Sequence, residues 1–337
     1  QPEAHYLSGL LFPGSDFETG NLDGWRLEGG AFERQPTYGD NVAARHSQWR
    51  AMPAGQFYIG TYENYRGRPG ETPGTTQGDH LTGGLISPTF LIKEPYITFL
   101  IGGGDLEGIG VRLIVGGEIV REATGANAEE MRREWWEVSD FVGQQGQIYL
   151  IDRERGAWGH LNADDFRYAT EIPDTRLFPN SDFEKGTLEN WEGEGTAFEF
   201  QPTKGDTIIT RHAHETANLR GTYWINTYDK YQGLDGQTPG DTVGDEATGL
   251  LRSKAFVISG DLIVFQIAGG MGEGVGVHLE VDTERVRTTR GRNHPSLQNA
   301  SWDVQDLRGR VGRIVIEDRE TGSWGAISAN DFRYGRF

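Results

Sequence analysis

The sequence predicts an all-β protein made of two tandem β-sandwich domains of jelly-roll type, and three observations carry that prediction. Sliding the chain against itself by 166 residues pairs Leu11-Phe12-Pro13 with Leu177-Phe178-Pro179 and ends on Asp165-Phe166-Arg167-Tyr168 against Asp331-Phe332-Arg333-Tyr334, with 75 of 158 pairs identical and no gap. One fold therefore occurs twice. The composition, with 49 Gly, 13 Pro, 16 Phe, 12 Tyr and 9 Trp in 337 residues, suits short strands joined by tight turns. Apolar residues also alternate with period two at matching places in both copies, as in strands with one buried face.

The length gives each copy enough chain to bury its own core. Module 1 is read as residues 1–168, a short linker as 169–176 around Pro173, and module 2 as 177–337. Ile97, Phe99 and Ile101 face inward and recur as Ile263, Phe265 and Ile267. Val111, Leu113 and Val115 recur as Val277, Leu279 and Val281, leaving Arg112 and His278 on the opposite face. Ile148 and Leu150 recur as Ile314 and Ile316. A sheet with one apolar face needs a second layer over it, which makes each module a sandwich. Asn127 to Trp135 has a helix-like composition, but the matching segment of copy two contains Pro295, so a variable loop is expected there.

Charge and composition narrow the function. A net charge of -18 argues against a nucleic-acid partner and leaves many carboxylates free to hold calcium. With no cysteine there are no disulfides, thiolate nucleophiles or thiolate zinc sites. No apolar run approaches the roughly 20 residues of a membrane span, so membrane insertion is not expected. Gln1 to Leu10 lacks the basic start and apolar middle of a signal peptide, so a targeting segment for a secreted or surface-attached protein is expected outside this sequence. There is no Gly-x-Ser-x-Gly elbow, His-Glu-x-x-His helix, P-loop or dinucleotide fingerprint, and the expectation is a protein that is not an enzyme.

Four constellations could carry chemistry. The opening Ser15-Asp16-Phe17-Glu18 recurs as Ser181-Asp182-Phe183-Glu184, and Asp165 near the end recurs as Asp331. If first and last strands pair, Asp16, Glu18 and Asp165 converge, and so do Asp182, Glu184 and Asp331; structural calcium is the sharp reading and solvated acids the plain one. The Gly-rich run Ile101 to Gly110 keeps Glu107 as Glu273, either as a hairpin needing positive φ or as backbone thinned for a ligand. Asp152 falls on the core phase and recurs as Asp318, close in sequence to Trp158, His160 and Trp324. An aromatic face beside a carboxylate, Arg112 and His160 can hold a sugar, although an ion pair of Asp152 with Arg167 or Arg112 explains it as well. Finally, a long loop keeps Tyr62 and Asp79 as Tyr228 and Asp245, and Arg45-His46 as Arg211-His212, either as a ligand rim or as a pin for the loop.

The motifs Asp16-Phe17-Glu18-x-Gly20-x-Leu22-x-Gly24-Trp25, Phe99 to Gly104, Ala123-Thr124-Gly125 and Trp158-Gly159-His160-Leu161-Asn162-Ala163-Asp164-Asp165-Phe166 resemble the non-catalytic β-sandwich domains of glycoside hydrolase family 32 proteins, similar to carbohydrate-binding module family 66. A weaker likeness is to cell-surface sandwiches of the meprin, A-5, mu type, whose cysteines are missing here. The first resemblance implies a jelly roll that can carry structural calcium and binds terminal fructose units of a bacterial or plant polysaccharide. Copy two has Ala326, Ser328 and Asn330 where His160, Asn162 and Asp164 stand, so the expected site is better kept in copy one. Non-catalytic carbohydrate binding is thus the expected function, and a cell-surface adhesion or scaffold protein binding another protein is the alternative.

Overall fold

Alternating apolar residues build two layers in each half of the chain, and the computed structural model describes residues 7–336 of it, leaving residues 1–6 of the segment read for a signal peptide outside. Strands take 42% of the residues and helix 5%. The chain divides into two units at Asp174 and Thr175, inside the linker read from sequence.

In module 1 the strands are β1 (Leu7–Leu10), β2 (Arg26–Gly29), β3 (Thr37–Tyr38), β4 (Phe57–Gly60), β5 (Gly83–Ile86) and β6 (Phe90–Leu91). They continue as β7 (Tyr96–Gly103), β8 (Ile109–Val115), β9 (Glu118–Ala123), β10 (Ala128–Glu137), β11 (Gln145–Asp152) and β12 (Leu161–Ala169). A front sheet runs β10-β7-β12-β4-β3, with β1 paired to the far end of β12. A back sheet runs β2-β5-β11-β8-β9, with β6 on β11. All pairs are antiparallel, and the predicted inward residues Ile97, Phe99, Ile101, Val111, Leu113, Ile148 and Leu150 are buried in one core between the sheets. Module 2 repeats this order. Its front sheet holds Leu262–Gly269, Ile327–Tyr334 and His294–Asp303, and its core is assembled from the counterpart residues.

Two local features position the site. A five-residue helix, α1 (Asn41–Arg45), lies over the outer face of the front sheet, where Val42 and Ala51 bury against Tyr58, Leu100 and Met131. Asp40 caps it through the Ala43 amide and also accepts the Ala51 and Met52 amides, which ties the following loop down. The second feature is β10, where a variable loop was expected. The free edge of β7 pairs with it from Arg132 to Glu137, and alternation sends Trp136 into the core while Met131 packs outward. Tertiary pairing overrides the local helix propensity of Ala-Glu-Glu-Met-Arg-Arg-Glu.

Candidate functional site

Beside the patch covered by α1, the outer face of the module 1 front sheet carries a closed polar network. Arg45 ends α1 and donates to Glu63 at 2.9 Å and to Glu129 of β10 at 2.6 Å. Glu63 is fixed by a tight turn after β4 and accepts a second bond from Asn41 at 2.5 Å. Asn162 of β12 donates to Glu129, and His160 places Nδ1 2.8 Å from Asp79 and Nε2 3.4 Å from Glu129. Tyr62 packs against His160 at 5.2 Å between ring centroids, Trp158 does so at 5.5 Å, and the Arg45 guanidinium lies over the Tyr62 ring. His160 and Glu129 are each only 4% exposed.

Such burial needs mutual compensation. Burial alone would strip the proton from His160, but Asp79 and Glu129 outweigh it and lift the imidazole to about 9. Burial likewise opposes ionisation of Glu129, yet His160 and Arg45 hold its carboxyl well below the usual range. His160 and Glu129 therefore carry opposite charges together near neutral pH, while burial raises the Glu63 carboxyl against the opposing pull of Arg45 and Asn41.

In module 2 the same positions form an open cleft of about 560 Å³. Ala326 replaces His160, Pro295 replaces Glu129 and Ser328 replaces Asn162, and all three line the cleft. Tyr228, Trp324 and Asp245 line it too, with Asn226 at one wall and His212, Glu215 and His294 at the others. Arg211 also lines it, held by the buried Asp229 at 2.6 Å and lying over the Tyr228 ring. Burial raises the Asp245 carboxyl, the Trp324 backbone amide opposing. The sequence expectation puts the better-kept motif in copy one, whereas this cleft lies at the module 2 counterparts, where Ala326 and Ser328 are smaller than the buried His160 and Asn162. Asp164, the third of the set, is buried on β12, where it accepts the Ala54 amide.

Of the residues singled out from sequence, Tyr62, Asp79, Trp158 and His160 come together in module 1, and Tyr228, Asp245 and Trp324 in module 2. Trp158 and Trp324 both sit at left-handed φ, 63° and 66°, an unusual conformation for so bulky a residue and one that is kept at the candidate site in both copies. The Gly-rich run serves this placement. A side chain on Gly104 or Gly270 would strike the carbonyl of Trp158 or Trp324 within 2.2 Å, so these glycines admit the neighbouring chain. Glu107 and Glu273 are exposed in the hairpin turn, and Glu320 instead holds the Gly274 amide at 2.9 Å. Arg112 lies on the back sheet and pairs with Glu122 at 2.7 Å.

Asp152 and Asp318 occupy the ends of their back-sheet strands, each 1% exposed. Arg112 is engaged with Glu122 and Arg167 with Asp165, so the proposed ion pair of Asp152 does not form. Burial instead lifts both carboxyls to about 7, with Asp79 and Asp245 adding repulsion from the site side. Glu129, Glu63 and the cleft residues Glu215 and His294 were not anticipated. The signal available for Glu129 was its replacement by Pro295 in an otherwise similar copy.

The opening and closing motifs do pair: Ser15 donates its hydroxyl to the Phe166 carbonyl, and Ser181 does the same to Phe332. Their acids are each engaged by protein groups. Glu18 accepts the Gln56 and Phe57 amides, while Asp165 is held by Arg133 at 2.7 Å and Arg167 at 2.5 Å. Asp16 lies 3.7 Å from Arg167. In module 2 Glu184 accepts the Thr222 and Tyr223 amides, Asp331 meets Arg220 and Arg333, and Asp182 meets Arg176. A calcium cage needs convergent oxygens, and arginines standing among them do not fit one. Among the described residues no group of three or more Asp, Glu or His side chains is placed to hold a metal.

No family model matches the chain. An 88-residue stretch is 42% identical to a protein of Aspergillus rugulosus named as a glycosyl hydrolase, ecdE; the match spans 26% of this chain and 12% of that protein. Among solved structures, TmCBM61 in complex with beta-1,4-galactotriose aligns over 48% of this chain and 99% of its own, at 16% identity and TM-score 0.30. The tandem CBM22-1-CBM22-2 domain of Paenibacillus barcinonensis Xyn10C aligns over 98% of both chains, at 12% identity and TM-score 0.24.

Proposed function

We propose that this chain is a non-catalytic carbohydrate-binding protein, acting outside the cell or at its surface, whose open sugar site is the module 2 cleft. The observation that carries the reading is the cleft itself. Its Trp324 and Tyr228 rings offer faces for the C–H surface of a sugar, and Asp245, Asn226, Arg211 and the two histidines surround them with hydroxyl partners. A volume of about 560 Å³ suits one or two sugar rings. Arg211 is already balanced by Asp229, and Asp245 with Glu215 leaves the lining acidic, which favours a neutral sugar over a uronic acid. The partial likeness to a named glycosyl hydrolase supports a sugar-handling role, and the motif resemblance favours a fructan.

A glycan array followed by calorimetric titration with levan and inulin oligosaccharides tests this. Micromolar to millimolar binding to a fructan or another neutral glycan, lost in Trp324→Ala, is the expected result. Absence of binding to every glycan overturns the reading in favour of a protein ligand. Hydrolysis of a polysaccharide that disappears in Asp245→Asn replaces it with an enzymatic one.

A further inference from the structure

Tryptophan is costly to leave in water, and the chain has nine. Among the described residues only two stand out as exposed: Trp324 at 36% and Trp49 at 46%. Trp324 lines the module 2 cleft. Trp49 belongs to module 1, in the loop after α1, and its counterpart is Glu215. Both Glu215 and His212, the counterpart of His46, line the module 2 cleft, so Trp49 and His46 take rim positions of the network-filled site in module 1.

The indole is not a loose side chain. His46 lies flat beneath it, with ring centroids 4.1 Å apart and an interplanar angle of 11°. Asp40 anchors the end of the same loop through the Ala51 and Met52 amides, and the Gln48 amide donates to His46 Nδ1. One ring face is occupied by His46, and the large exposed fraction of the indole is held in a fixed orientation, which lowers the entropy cost of receiving a flat ligand.

Resting on the carbohydrate-binding reading above, we propose that Trp49 buttressed by His46 is a second sugar-binding element. It takes a ring from within a neutral polysaccharide chain by stacking, while the module 2 cleft takes a short terminal segment. In module 1 the buried His160, Glu129 and Asn162 stand where Ala326, Pro295 and Ser328 line the module 2 cleft, whereas a flat exposed surface places no limit on the chain running past it on either side. Two elements of this kind on one chain gain from each other only on a polymer long enough to reach both.

Affinity gel electrophoresis of the full chain in levan, inulin, β-1,4-galactan, xylan and dextran tests this, with calorimetric titration of disaccharides from whichever polymer retards it. Trp49→Ala is expected to weaken polymer affinity about tenfold and leave disaccharide affinity unchanged, with Trp49→Phe restoring most of the loss. Trp324→Ala is expected to abolish disaccharide binding yet leave weak retardation, which the double variant loses. Wild-type retardation in Trp49→Ala overturns the platform while the module 2 reading stands. Wild-type protein that no polymer retards overturns both.

Discussion

Module 1 and module 2 carry the same sandwich, the same left-handed tryptophan and the same Arg-Tyr-Asp frame, yet one encloses a salt-bridged network and the other a cleft. Among the exchanges at these positions, His160 to Ala326, Glu129 to Pro295 and Asn162 to Ser328 each put a smaller or less polar residue in the cleft lining. Polar residues that read as a binding site in sequence can turn to one another instead of to a ligand. Small residues in the same places leave the frame exposed. Keeping the motif is therefore different from keeping the site.

The largest expected effect comes from exchanging these residues. Trp324→Ala removes a wall of the cleft and should weaken sugar binding by a hundredfold or more, whereas Trp158→Ala, at the equivalent place over His160, should leave short-sugar affinity within twofold. Conversely, putting His160→Ala, Glu129→Pro and Asn162→Ser together in module 1 should open a second cleft and raise the disaccharide stoichiometry from one to two. Pro at position 129 is tolerable because the β7–β10 register is already broken between Ala128 and Arg132. Stoichiometry that stays at one in a folded triple variant would mean that the network is not what closes module 1.

The architecture was legible because it rests on period-two burial and on an internal repeat: Ile97, Phe99, Ile101 and their counterparts read correctly from spacing alone. The site was legible only in part. Tyr62, Asp79 and His160 are candidates in the sequence and lie together in the fold, but Glu129 belongs to a segment whose local propensity is helical, and only the edge of β7 makes that segment a strand. Which residues are open to a ligand depends on side-chain volume across strands far apart in sequence. No one-dimensional pattern carries that.

Second in size is a stability difference. His160→Ala leaves Glu129 and Asp79 without their shared cation, at a cost of about 3 kcal/mol near pH 6. Because the folded imidazole is lifted to about 9 from its ordinary 6.5, its contribution is complete below pH 6.5 and is lost as pH rises through about 9. The gap between wild type and variant in urea unfolding should accordingly close towards pH 10. A gap constant from pH 6 to pH 10 would show that His160 acts by packing alone.

Asp152 and Asp318 predict the opposite outcome, a likeness between modules. Both carboxyls are raised to about 7 by burial. A raised acid favours the fold fully below pH 3.8 and loses that contribution as pH rises to about 7, beyond which the penalty is constant. Asn at either position should then stabilise its module by about 2 kcal/mol at pH 8 and do nothing at pH 3.5. Gain in one module only would mean that its acid has a partner in solution that the other lacks.

The smallest expected effect concerns the acidic openings, which are alike in both modules. Calcium was a natural reading of Asp16, Glu18 and Asp165, since converging carboxylates repel unless a cation lies among them. Here the cations are covalent: Arg133 and Arg167 flank Asp165, and the amides of Gln56 and Phe57 take both oxygens of Glu18. A metal entering between them would have to displace an arginine and strip amide hydrogen bonds before gaining its own ligands. A ligand that binds only the folded state raises the melting temperature in proportion to the logarithm of its concentration. Melting in millimolar calcium and in excess EDTA should therefore agree within about 1 °C for both transitions, and a calcium-dependent rise in either would place the ion in that module through ligands other than these arginine-held acids.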